Sequence, residues 1–133
     1  MIYCLTSLDS EGKKLYKIGY TDDIKTRMKH YQLHNPSVKL IRIKDGEKID
    51  EQCIHCYLHL KGLGKYRREW YVDNKDVKKI LNKPIEEINE FLWENKEKAF
   101  SKSKLRSVSW FNLYKKLERV FNKRKLTISK PYK

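Results

Sequence analysis

Residues 2–21, IYCLTSLDSEGKKLYKIGYT, decide the fold. Two runs of β-branched, aromatic and apolar residues, IYCLTSL at 2–8 and LYKIGYT at 15–21, flank Asp9-Ser10-Glu11-Gly12. Such runs favour the pleated, half-buried surface of a strand, and the intervening residue types favour a turn. The stretch therefore reads as a β-hairpin. With Gly12 opposite Leu8, Tyr3 falls opposite Lys17, and directly opposed residues share one face of a sheet. That register predicts a phenol beside an ammonium. A slip of one residue would send them to opposite faces.

Working outward, Thr21 can cap a helix whose first turn holds Asp22 and Asp23, acids suited to its positive end. Ile24, Met28 and Tyr31 follow at helical spacing, which puts Arg27 on or beside the inward face, and Asn35-Pro36 ends the helix. VKLIRI at 38–43 alternates as a third strand, with Val38, Leu40 and Ile41 or Ile43 toward the core. Residues 49–60 read as a second helix with Ile49, Cys53, Cys56 or Tyr57, and Leu60 on one stripe. KGLGKYRR at 61–68 is a basic loop, EWYV at 69–72 is extended, and helices follow at 74–82 and 84–98, broken by Pro84. An amphipathic helix is predicted at 107–122, with Trp110, Leu113, Tyr114, Leu117, Val120 and Phe121 on its apolar side, before an extended KLTISKPYK. The expected class is α+β. A small three-stranded antiparallel sheet is flanked by helices and followed by a basic C-terminal helical extension.

The charge divides the chain in two. Of 133 residues, 31 are Lys or Arg and 17 Asp or Glu, a net charge of +14. Residues 100–133 hold 11 of those cations and a single acid, Glu118, whereas residues 1–99 are near balance at +4. The reading is a domain at 1–99 and a basic extension at 100–133. Such a balance names partners rather than a fold: nucleic acid first, DNA above all, and an anionic membrane surface second. No apolar run reaches the roughly 18 residues of a membrane span, and the N-terminal stretch lacks the basic-then-apolar pattern of a signal peptide. The three cysteines, Cys4, Cys53 and Cys56, fit reduced thiols in an intracellular setting.

Ile2-Tyr3, then Lys17-Ile18-Gly19, then Arg27, then Glu51-Gln-Cys-Ile-His55, then Glu69-Trp70-Tyr71 stand in the order of the GIY-YIG endonuclease superfamily. Over residues 1–73 the chain resembles the phage- and virus-rich branch of that superfamily, which carries Lys-Ile-Gly and Glu-Trp-aromatic motifs. Met1 stands where the first motif has its glycine, and Lys17 where the best-known members carry tyrosine. The resemblance implies hydrolysis of phosphodiester bonds in DNA with Mg²⁺ or Mn²⁺ as cofactor. It implies that Glu51 is the sole protein ligand to the metal, that Arg27 neutralises the scissile phosphate, and that Tyr3 acts as general base or positions the water. A free phenol is a weak base at neutral pH, with a reference pKa of about 10, which a neighbouring Lys17 would lower. His55 would assist the site. Gly19 and Trp70 are expected to be structural, the first permitting a close approach.

Plainer readings stand beside these: strand packing for Tyr3, a surface position for Arg27, an acid at a helix start for Glu51. Cys53-x-x-Cys56 with His55 and His59 resembles a zinc half-site without its other half, and both thiols lie on the apolar stripe, so core cysteines are expected. Glu51, His55 and His59 would line one helical face. Lys65, Arg67, Arg68, Lys102, Lys104, Arg106, Lys115, Lys116, Arg119, Lys123 and Arg124 are the candidates for phosphate contact. Two other functions compete with the endonuclease. One is a non-catalytic nucleic-acid-binding protein on the same fold, virion or regulatory. The other is a membrane-surface protein using the 107–122 helix, disfavoured by the polar Ser109 and Asn112.

Overall fold

A computed structural model describes residues 1–63, 70–102 and 104–129, with residues 104 and 123–129 as backbone alone. Four strands, β1 (Ile2–Leu8), β2 (Lys14–Tyr20), β3 (Lys39–Lys44) and β4 (Trp70–Val72), form one antiparallel sheet in the order β3-β1-β2-β4. The class is α+β as expected, with one strand more than the three expected. β4 is too short for alternation to show in sequence.

The hairpin register differs from the expected one. Tyr3 pairs with Gly19, and Lys17 pairs with Leu5. The cause lies in the turn. The Asp9 carboxylate accepts from the N–H groups of Glu11 and Lys13, each at 2.8 Å, and the Asp9 N–H donates to the Lys13 carbonyl. The loop therefore closes at Asp9 and Lys13, with Gly12 inside the turn at φ +80°. The displacement is two residues, which preserves the face of every side chain. Lys17 and Tyr3 still share a face, as diagonal rather than direct neighbours.

The two faces of β1 carry two cores. Tyr3 and Leu5, with Val38, meet half-buried Ile24, Met28 and Tyr31 of α1 (Ile24–His34) and Trp70 of β4. Ile2 and Cys4 face the larger core with Tyr16 and Ile18 of β2. That core includes Cys53, Ile54, Cys56 and Leu58 of α2 (Lys48–Leu60), and Val77 of α3 (Lys75–Lys79). Ile88 and Leu92 come from α4 (Ile85–Glu94), Ala99 from α5 (Lys96–Ala99), and Leu113 and Leu117 from α6 (Val108–Ser129). Each fully buried aliphatic side chain contributes roughly 1.5–3 kcal/mol of transfer free energy. Cys53 and Cys56 are core thiols, and burial pushes that of Cys53 up to about 12.

Three local expectations are corrected. Asp23 rather than Thr21 caps α1, its carboxylate accepting from the Thr26 N–H at 3.2 Å. Thr21 instead accepts from the Asp23 N–H. On β3 the alternation breaks: Leu5 pairs with Leu40 but Cys4 with Arg42, so Ile41 is the extra residue of a β-bulge. Ile41 and Ile43 are exposed on this edge strand rather than near the core. Finally, α6 runs on to Ser129, through residues expected to be extended. Among the described residues no helix is long and apolar enough to cross a membrane.

Candidate active site

The site is built where β4 stops. Among the described residues β4 pairs with Leu15, Tyr16 and Lys17 of β2, and no strand residue pairs with the outer edge of Ile18. The Ile18 carbonyl accepts instead from a side chain, His55 Nε2 on α2, at 3.1 Å. The same nitrogen lies 3.2 Å from Glu51 Oε1, one helical turn earlier. Facing two acceptors, Nε2 carries the proton, and Nδ1 accepts from the Tyr71 hydroxyl, which burial keeps protonated by raising its pKa. The imidazole also stacks on the Tyr71 ring, 5.7 Å between centroids. Two side chains, Tyr71 and His55, thus fix the Glu51 carboxylate from behind.

Glu51 is free for that role because its neighbour takes the helix start. Asp50 accepts from the Glu47 N–H at 2.8 Å, the usual task of an acid in a first turn. Glu51 and His55 keep only 19% and 15% of their side-chain surface in solvent.

In front of Glu51 lies a cavity of about 230 Å³, lined by Tyr3, Lys17, Ile18, Gly19, Tyr20, Arg27, Tyr31, Lys48, Glu51 and His55. Residues from β1, β2, α1 and α2 meet there, with three cations to one carboxylate among the described lining residues. That balance suits an anion. Gly19 makes room for the Tyr3 ring: a Cβ at Gly19 would lie 2.5 Å from Tyr3 Cζ. Arg27, expected on or beside the inward face, is exposed, and it reaches the cavity from the rim.

Tyr3 does not have the environment of an activated phenol. Burial raises its pKa, the hydrogen bond to the Tyr31 hydroxyl at 3.3 Å raises it further, and Arg27 lowers it only in part. The expectation that Lys17 sits directly across from Tyr3 and acidifies it is therefore corrected, first by the register and then by the electrostatics. Lys17 is itself 7% exposed, and its Nζ lies 4.6 Å from the centre of the Tyr31 ring and 6.0 Å from that of Trp70. Aromatic faces stabilise a desolvated ammonium in this way. Trp70 is half-buried beneath it.

His59 is exposed and lies outside the cavity, so the expected line of Glu51, His55 and His59 is shortened by one member. Two residues not singled out for the site belong to it: Tyr71, behind His55, and Tyr31, beside Tyr3. For Tyr71 the signal was the period of two. On β4, Trp70 goes to the Lys17 face and the adjacent Tyr71 to the α2 face.

Of the basic candidates, Lys102 and Arg106 are exposed. Lys116 pairs with Glu47 at 3.2 Å, joining α6 to the start of α2, and Lys115 pairs with Glu118 at 3.5 Å. Arg119 donates to the Lys115 carbonyl. Such exposed pairs are worth little. Lys65, Arg67 and Arg68 lie outside the described residues, as do the side chains of Lys104, Lys123 and Arg124.

Comparison with known proteins adds one match. The model of the T5orf172 domain matches residues 1–84, which contain every residue lining the cavity. That domain is associated with nuclease-like and nucleic-acid-binding phage proteins. Neither a curated protein nor a solved structure matches the chain.

Proposed function

The chain belongs to the T5orf172 domain family, and on that premise we propose that it is an endonuclease hydrolysing phosphodiester bonds in DNA with Mg²⁺ or Mn²⁺. One observation carries the reading. Tyr3, Arg27 and Glu51, from three elements far apart in sequence, meet around one cavity of positive charge balance. The GIY-YIG resemblance supplies a role for each.

The donor set fits a hydrated hard cation. Among the described residues no group of three or more His, Cys, Asp or Glu could hold an ion by itself. Glu51 alone would hold it, and one carboxylate with several waters suits magnesium. When bound, the cation supplies an activated water and stabilises charge on the leaving oxygen. Arg27 then presents its fork of donors to the phosphate oxygens, and Lys48 and Lys17 add positive potential. Tyr3, kept protonated, orients the attacking water by hydrogen bonding rather than removing its proton. His55 holds the Glu51 carboxylate in one rotamer, with Tyr71 fixing the tautomer.

The test is cleavage of supercoiled plasmid with Mg²⁺ or Mn²⁺ by the wild type, Arg27→Ala and Glu51→Gln. Each substitution is expected to lower the rate by about 10²-fold or more. Equal cleavage by all three would mark a contaminant and sink the reading. A wild type that binds DNA but never cuts it would make the protein a non-catalytic nucleic-acid binder on the same scaffold.

A further inference from the structure

A second concave surface, of about 630 Å³, lies on the other side of the sheet. Its walls include Tyr16, Lys14 at the start of β2, Arg42 on β3, and Lys75, Lys78 and Lys79 of α3. None of its lining residues is shared with the candidate active site. Thr6 and Tyr16, paired across the hairpin, form its floor and point to the face opposite Tyr3 and Lys17. The bulge at Ile41 sets Arg42 opposite Cys4, on that same face.

Five cations converge here, all exposed, and no carboxylate stands among the described lining residues. Among the described residues none of the five is held in an ion pair. The nearby carboxylate of Asp73 is engaged by the Tyr16 hydroxyl. Like charges gathered with no carboxylate among the described lining residues repel one another. A concave, low-dielectric wall focuses their field on whatever enters. An anion offsets that repulsion. The cations come from three elements and are spread along the groove, so a small anion meets two or three of them. A strand carrying one charge per phosphate meets them all.

We infer that this groove is a second binding site for a nucleic-acid phosphate backbone, separate from the one that presents the bond to Glu51. The inference rests on the nucleic-acid reading above but not on catalysis. It puts sequence-independent contacts in the near-neutral part of the chain, not only in its basic extension.

The test compares the full-length wild type, the triple variant Arg42→Ala/Lys78→Ala/Lys79→Ala, and a control losing the same charge elsewhere, Lys13→Ala/Lys96→Ala/Lys98→Ala. Binding to a fluorescent duplex is followed by anisotropy across a salt series. The groove variant should bind about tenfold or more weakly at 150 mM salt, with a slope of log K against log[salt] shallower by about 3. The control should stay within about twofold of the wild type. Equal behaviour of the two variants overturns the inference and leaves the nuclease reading standing. A groove variant that binds weakly, in a protein whose Glu51→Gln form cleaves like wild type, has the opposite meaning. A wild type that binds no DNA even at low salt overturns both. Five of the six substitutions are at exposed positions, where changes in stability are small; Lys96 is half-buried, its Nζ 4.8 Å from the centre of the Trp93 ring, and equal thermal midpoints verify folding of both variants.

Discussion

His55 reaches Glu51 with the same nitrogen that satisfies the Ile18 carbonyl, 3.2 Å from one and 3.1 Å from the other. One N–H therefore ties the carboxylate to the sheet. His55→Ala should lower cleavage by about 10- to 100-fold and raise the Mg²⁺ concentration for half-maximal rate, as loss of a group that orients a metal ligand does. Tyr71→Phe keeps the stacked ring but removes the donor to Nδ1, freeing the other tautomer. A smaller loss, with the same shift in Mg²⁺ dependence, is expected. A metal titration of the nicking rate measures both, and an unshifted midpoint in His55→Ala would refute the arrangement.

Gly19 and Tyr3 occupy the same space by design of the backbone. Gly19→Ala drives a Cβ into the Tyr3 ring, whose phenol is walled in by Tyr31. Destabilisation of about 1–3 kcal/mol is expected, together with loss of activity. In a Tyr3→Ala background the same substitution should cost little, because the ring is gone. Urea unfolding of the four proteins gives the coupling energy, and strictly additive effects would contradict the contact.

Tyr3 stays a phenol through the neutral range, since burial raises its pKa. Tyr3→Phe should lower the rate of cleavage without removing an ionisation from the pH–rate profile between about pH 6 and 9. A limb that vanishes in Tyr3→Phe would restore the phenolate as a base.

Stability should fall in alkali. The thiols of Cys4 and Cys53 are raised by burial from 9.0 to about 12, and Tyr3 and Tyr71 are raised as well. Groups whose folded pKa exceeds the unfolded value stabilise fully below the unfolded value. That stability is lost as pH rises toward the folded one. Unfolding free energy measured in urea should hold steady up to about pH 9 and decline through pH 12. Cys53→Ala should flatten the decline.

Lys17→Met replaces a caged ammonium by an apolar chain of similar length. Removing a desolvated charge in favour of a packed apolar group is often neutral or stabilising. The thermal midpoint should hold or rise while cleavage falls, because the cavity loses one of the three cations among its described lining residues. A fall in both would make Lys17 a structural cation.

Much of this was legible in the chain because strand periodicity fixes faces. The runs at 2–8 and 15–21 put Tyr3 and Lys17 on one face even with the register displaced by two residues. The displacement was hidden because it arises from the Asp9 side chain capturing two backbone N–H groups, which no periodic pattern encodes. Helix spacing brought Glu51 and His55 together, being an i, i+4 relationship. The roles of Tyr71 and Tyr31 depend on which long-range neighbour each hydroxyl meets, which no local pattern encodes. The basic groove is likewise a long-range feature: Lys14, Arg42 and the α3 lysines are 28 or more residues apart between elements and sit in a segment of near-balanced charge.

Among the described residues no strand pairs with β2 beyond Lys17, and unpaired sheet margins recruit strands from other molecules. Here His55 blocks one acceptor of that margin with a ring already committed to the carboxylate. The histidine that orders the site thus also discourages self-association, and variants at position 55 are expected to tend toward oligomers as well as toward inactivity.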